Sequence, residues 1–158
     1  MRRLRAWFVM LPVFGLPLLA QGPGAPGAVY MSAAEVSKGL ATTVAADAAA
    51  GAAVTITPGI VVRRRTGAGE PQYAISHPFS TEVYYIIEGA GSLVTGGTLD
   101  PPAPPPADPD IVRSRTIKNG VMRTVGKGDV IVVPPGTPHW FSAIEGTITY
   151  LESRVRVK

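Results

Sequence analysis

Gly128, Pro134, Gly136 and His139 stand at a spacing that fits two strands joined by a rigid turn. Between the first two lies Asp129 followed by Val-Ile-Val-Val, a β-branched run with almost no polar content. Bounded by glycine on one side and Pro134, Pro135 and Gly136 on the other, it reads as a strand. Thr137 and Pro138 then tighten the chain, and His139 opens a second strand-like run through Trp140, Phe141, Ser142 and Ala143. A strand, a fixed turn and an inward histidine are what a small β-barrel needs to carry a metal ligand in its mouth. Given 18 glycines, 16 prolines and 2 histidines in 158 residues, chance would produce this spacing in roughly 0.2% of such chains, so composition does not explain it.

The spacing resembles the second characteristic motif of the cupin family, which ends in asparagine four residues after the histidine; Ala143 stands there in this chain. The second half of the family's first motif is present upstream as Glu82, six residues, Gly89. The family places two histidines before that glutamate. Here His77 occupies the second position, Ile75 the first, and Gly69 the place of the opening glycine. The resemblance spans about residues 32–158 and implies an all-β fold, an antiparallel jelly-roll barrel, with His77, Glu82 and His139 as metal ligands. The chain holds only two histidines, and both fall at family metal positions.

Residues 1–20 read as a signal peptide: Arg2, Arg3 and Arg5 form a basic start, 6–20 is apolar, and Leu18, Leu19 and Ala20 offer a cleavage site. The apolar run is too short for a bilayer span and is broken by Pro12, Gly15 and Pro17. The mature chain is therefore expected to be secreted or periplasmic, with no membrane association after cleavage. Removing three arginines and no acid lowers the net charge from +4 to +1, which leaves no basic face for nucleic acid. With no cysteine, an exported chain must be held by its core, a metal or a partner copy. Arg63, Arg64 and Arg65 follow an apolar strand start and read as solvated side chains on an outer face.

Residues 21–31 form a Gly/Pro-rich leader, and residues 32–158 are expected to make one domain. Ser32 and Glu35 match a capping box opening a short helix over 33–40. From residue 53 the pattern is β throughout: 53–57, 60–65, 73–76, 83–88, 91–95, 113–118, 121–125, 129–133, 139–143 and 147–157. A proline-rich insertion over 99–110 separates the two motifs and cannot be a central strand; a solvated surface loop is the expectation.

Strand alternation puts Tyr84 and Ile86 on the face of Glu82, and Phe141 and Ala143 on the face of His139. Tyr73, Tyr84, Ile86 and Phe141 are thus the expected walls of a substrate pocket. Two imidazoles and a carboxylate form a facial set with open positions, suited to one divalent transition metal: Fe or Cu first, Mn or Zn also fitting. The resemblance links such sites to oxygen-dependent oxidoreductases, here on a small organic or carbohydrate-like substrate. Two other readings stay open. Ile75 and Ala143 favour a non-catalytic small-ligand-binding cupin with a degenerate metal site, and an isomerase or epimerase is the third. Each residue also has an ordinary alternative: His77 as a loop histidine before Pro78, Glu82 paired with an arginine, Tyr84 and Phe141 as core. A homodimer is implied by the resemblance.

Overall fold

The structure, a computed structural model, describes residues 27–43, 51–67, 73–102, 104 and 107–157. The expected signal peptide and most of the leader lie outside these residues. One helix, α1 (Ala33–Thr42), precedes ten strands: β1 (Ala52–Thr57), β2 (Ile60–Thr66), β3 (Ala74–Ser76), β4 (Ser80–Thr95), β5 (Thr98–Asp100), β6 (Val112–Ser114), β7 (Thr116–Lys118), β8 (Val121–Gly126), β9 (Val130–Val133) and β10 (His139–Arg156). The expected all-β antiparallel fold with a short N-terminal helix is present. Its eight-stranded main sheet curls in the jelly-roll manner without closing, and β5 pairs with β7 in a small second sheet.

The helix starts where the sequence places it. Glu35 N–H donates to the Ser32 hydroxyl at 3.2 Å and the Glu35 carboxylate accepts from Ser32 N–H at 2.7 Å, so two orphan donors of the first turn are satisfied. The helix packs on β1 and β2, and Gly39 lets it approach Val54 closely.

Two long strands organise the rest. β4 and β10 pair along their lengths, from Thr95 opposite His139 to Ser80 opposite Arg156. The sequence suggests separate strands here, 83–88 and 91–95 in place of β4, and 139–143 and 147–157 in place of β10. Each strand instead runs on past its glycine: pairing stops at Ala90–Glu145 and resumes at Glu88–Thr149, and both glycines, with positive φ (81° and 66°), lie in the bulge between these pairs. On its other edge β4 changes partner: residues 82–85 pair with β9 and residues 90–95 with β8.

Inward residues of these strands make the core: Tyr84, Ile86, Leu93, Val125, Val133, Phe141, Ile148 and Tyr150. The alternation expected around Glu82 is observed, with Ser80, Glu82, Tyr84 and Ile86 buried and Tyr85 and Ile87 exposed. The alternation after His139 holds as far as Phe141 and then fails. Phe141 pairs with Leu93 but Ala143 with Ser92, so Ser142 is an extra residue and Ala143 turns outward. Ala143 therefore has no place in the cavity, and the family asparagine missing there leaves the cavity wall unaffected.

Candidate metal centre

His77 lies between β3 and β4, Glu82 near the start of β4, and His139 at the first residue of β10. What joins them is the rigid turn after β9. Gly136, at φ 74°, donates its N–H to the His77 carbonyl at 2.9 Å. That single bond ties the turn of the second motif to the backbone of the first, and the two imidazole centroids come to 5.7 Å. All three side chains are buried, and one ligand atom from each lies within 4.8 Å of the others.

The hydrogen bonds behind the rings fix their tautomers. The His77 Nδ1 donates to the Asp110 carbonyl, and the His139 Nδ1 to the Thr137 carbonyl at 3.0 Å. A carbonyl oxygen can only accept, so in each neutral ring Nδ1 carries the proton and Nε2 presents a bare lone pair. Those lone pairs meet the same carboxylate: His77 Nε2 is 3.4 Å from Glu82 Oε1, and His139 Nε2 is 2.9 Å from Glu82 Oε2. The buried His139 Nε2 has no hydrogen-bond partner. Two unprotonated nitrogens facing an anion repel it unless a proton or a cation is shared among them. A backbone carbonyl behind each imidazole is also how metal-ligating histidines are usually oriented. The donor set thus fits a divalent metal.

Charge around the carboxylate is dense. Burial by itself would raise the Glu82 pKa; the hydrogen bond and charge that a protonated His139 supplies, with the positive charges of a protonated His77 and of Arg154, outweigh it and hold the carboxyl well below the usual range. Arg154 reaches Glu82 Oε1 through Nε at 2.8 Å and Nη2 at 2.7 Å. The Tyr84 hydroxyl donates to Oε2 at 2.7 Å, and burial beside carboxylates pushes that phenol far up, so it stays a donor. Arg154 also contacts Glu152 at 3.2 Å, and Glu152 receives the Arg63 Nε at 2.6 Å. Register explains this chain of charges. Glu82 lies opposite Arg154 and Tyr84 opposite Glu152, while Arg63 lies opposite Tyr150 on the far side of β10.

These groups line a cavity of about 130 Å³ that also includes Tyr73, Ile75, Ile111, Arg65 and Arg113. Of the expected pocket walls, Tyr73 and Tyr84 line it; Ile86 and Phe141 do not. Ile86 is fully buried two residues deeper on β4, and Phe141 sits behind Tyr84 at 6.4 Å between ring centroids. Both are core beneath the site, because the polar mouth is only as deep as the Glu82–Tyr84 step. Ile75, at the position of the absent histidine, is part of the wall. A larger groove of about 350 Å³ between β8 and β9 offers Arg123 among mostly apolar residues and no histidine or carboxylate, so its chemistry is poorer.

Sequence reasoning missed the arginines. Arg63 and Arg65 point inward, against the outer-face expectation, while Arg64 turns away to Thr149. The signal was Arg63-x-Arg65 and Glu152-x-Arg154, charged residues at strand period on two neighbouring strands. It also missed Asp110, the last residue of the proline-rich segment. The Asp110 carboxylate accepts from Phe79 N–H at 2.7 Å and the Ser80 hydroxyl at 2.6 Å, while its carbonyl orients His77. Thr98–Asp100, at the other end, pair with β7. The segment is therefore anchored at both ends rather than being a plain solvated loop.

Acid is expected to destabilise the metal-free chain in two stages. Burial outweighs the pull of Glu82 and lowers the His77 pKa. Below the ordinary imidazole value of 6.5 the unfolded chain therefore takes up a proton that the fold resists, and stability falls. Glu82 acts likewise lower down, because its folded carboxyl resists protonation that the unfolded chain accepts near 4.5. Urea midpoints should drop from pH 7.5 to 5.5 and again below pH 4.5. An unchanged midpoint over the first interval would refute the account of His77.

Comparison with known proteins shows the family and the fold. The sequence matches the cupin family model over residues 36–151; the chain belongs to the cupin family. Among solved structures, a putative sugar phosphate isomerase from Acidithiobacillus ferrooxidans shares the fold at TM-score 0.52 and 16% identity, covering 82% of this chain and 76% of that one. The DMSP lyase from Ruegeria pomeroyi aligns at 0.40 and 19%, covering 63% of this chain and 38% of the lyase. Hydroxypropylphosphonic acid epoxidase from S. wedmorenis aligns at 0.41 and 15%, covering 62% of this chain and 44% of the epoxidase. The chain thus spans less than half the length of the last two. No curated protein matches at the sequence level.

Proposed function

We propose that this cupin is a mononuclear-metal enzyme, an oxygen-dependent oxidoreductase acting on a small organic or carbohydrate-like molecule, with His77, Glu82 and His139 as ligands. The observation that carries the reading is the convergence of two bare imidazole nitrogens and a carboxylate, all buried, at the wall of an open cavity. A metal held there by three residues would act as Lewis acid and template, with positions left for other ligands. The chain's own residues do the rest: Thr137 and Asp110 hold the rings in their metal-ready tautomer, and Tyr84 and Arg154 orient the carboxylate.

Metal content by mass spectrometry on untagged protein tests this. About one equivalent of Fe, Cu or Mn, with oxygen uptake on addition of substrate, is the expected result. Zinc would redirect the reading to isomerase or hydrolytic chemistry. The second reading, a small-ligand-binding cupin without metal, is favoured by one observation: Arg154 and Tyr84 already satisfy the Glu82 oxygens. Protein that takes up no metal even on reconstitution would make that reading the stronger one. Export and a homodimer belong to the proposal as well; the N-terminal residue of secreted protein and light scattering read them directly.

A further inference from the structure

The two histidines are held in different ways. His139 donates to the Thr137 carbonyl, two residues away in the same proline-restricted turn, so the second motif orients its own ring. His77 donates instead to the Asp110 carbonyl, 33 residues away in the chain. The backbone that carries His77 is itself a turn, with the His77 carbonyl accepting from Ser80 N–H at 3.3 Å. Asp110 engages this turn at both ends. Its carbonyl receives the ring of the first residue, and its carboxylate receives the Phe79 N–H at 2.7 Å on Oδ1 and the Ser80 hydroxyl at 2.6 Å on Oδ2. Asp108 fixes Asp110 in turn: its carboxylate accepts from Asp110 N–H at 2.9 Å and its carbonyl from Ile111 N–H at 3.0 Å.

We propose that the Asp110 side chain is the positioning residue for His77: it holds its own carbonyl on His77 Nδ1, so that docking of the 108–111 turn prepares one metal ligand of the three. This deepens the function proposed above and rests on its reading of His77 as a ligand. Every residue has a main-chain carbonyl, so the carbonyl alone does not explain why this turn sits against His77. The carboxylate does, because both of its oxygens are spent on the turn that bears the ring, and bonds to an ionised acceptor are the shorter and stronger kind. A ring whose Nδ1 proton rests on a fixed acceptor offers Nε2 as a lone pair. A ring released from that acceptor shares its proton between the two nitrogens and swings about its side-chain bonds, and a metal has to reverse both. His139 does not depend on Asp110, so the effect falls on His77 alone. The rest of the neighbourhood survives loss of the carboxylate, since Val157 N–H donates to the Phe79 carbonyl at 2.9 Å and Val112 pairs with Ser76.

Imidazole nitrogen-15 chemical shifts test this, because the chain contains only two histidines. They are read at pH 8 on the full mature chain without metal, beside zinc affinity measured by competition with a chromophoric chelator. In the parent, His77 is expected to carry its proton on Nδ1. In Asp110→Ala the His77 shifts should move toward a mixture of the two tautomers while those of His139 stay, and zinc should bind about tenfold more weakly. Asp110→Asn keeps an acceptor for the Phe79 N–H and loses the charge, so it should fall between, and it carries the same test if alanine unfolds the chain. Gly128→Ala controls for lost stability and should leave both rings and zinc affinity as in the parent. A His77-selective change in a chain that takes up no zinc supports the positioning role and removes the metal reading. Unchanged His77 shifts in Asp110→Ala, or zinc bound as tightly as by the parent, overturn the proposal and leave the metal reading intact. Equal movement of both rings also overturns it, because that marks general loosening rather than positioning.

Discussion

Replacing Glu82 by glutamine is expected to remove stoichiometric metal and leave the chain folded at neutral pH. The amide keeps the shape of the carboxylate but loses its charge, and its NH₂ group can donate to the bare Nε2 of His139, 2.9 Å from the present Oε2. The nitrogen a metal needs would then be occupied by a hydrogen bond. Mutating partners behind metal ligands commonly costs about 10–100-fold in affinity, and losing the only anionic ligand should exceed that range. The stability cost is smaller than for a typical broken buried pair. Arg154 keeps Glu152 at 3.2 Å and is 29% exposed, so about 1–2 kcal/mol is expected, below the few kcal/mol of a fully buried pair. Competition with a chromophoric chelator reads the affinity, and urea denaturation reads the stability. A full equivalent of metal bound by Glu82→Gln as tightly as by the parent would show that Glu82 is not a ligand.

Glu82 is also where the two sequence readings of a carboxylate, metal ligand or arginine partner, turn out to be compatible geometrically. One oxygen, Oε2, faces His139 and the Tyr84 phenol; the other, Oε1, faces His77 and Arg154. A pattern of residue types can suggest either role but cannot show that both fit one side chain.

The candidate ligand residues were legible because they follow short-range spacing. His77 and Glu82 are separated by four residues, and His139 follows a turn whose prolines and glycine restrict the backbone. The cavity walls were less legible because they depend on register. Strand period alone cannot tell which face of β2 looks inward, and three adjacent arginines suggested solvent; the answer came from Arg63 pairing across to Tyr150 of β10. Ala143 illustrates the same limit more sharply, since one extra residue, Ser142, reverses every later side chain. Asp110 was illegible for a further reason. Its contacts with Phe79 and Ser80 span about thirty residues of chain, and nothing local marks an aspartate at the end of a proline-rich stretch as an anchor.

Gly89→Ala is expected to be the most destabilising single-methyl change among the described motif glycines, and Gly128→Ala a mild one. Both residues have positive φ, 81° and 93°, a region that costs an alanine of order 1 kcal/mol. Their surroundings differ. A Cβ on Gly89 would fall 1.9 Å from the Thr147 carbonyl oxygen and 3.0 Å from the Ile148 Cα, whereas one on Gly128 would meet nothing within 4 Å. The obstacle at Gly89 is backbone in the centre of the sheet, which cannot swing aside as a side chain could. There three residues of β10, Gly146 to Ile148, lie opposite one residue of β4, and the ladder resumes beyond them. The same point is where β4 passes from β8 to β9, since Ala90 pairs with Gly126 and Tyr85 with Val130. The turn that carries out this exchange contains Gly128, whose N–H donates to the Ile86 carbonyl at 2.8 Å. Gly89 therefore sets the close contact and Gly128 only the turn. Urea denaturation should give a loss of about 3 kcal/mol or more for Gly89→Ala, from strain plus clash, against about 1 kcal/mol for Gly128→Ala. Because Glu82 and His139 belong to the two strands that meet at Gly89, its variant should also bind metal more weakly than Gly128→Ala does. Equal losses in the two variants would mean that backbone conformation alone, and not the contact with Thr147, keeps glycine in the first motif.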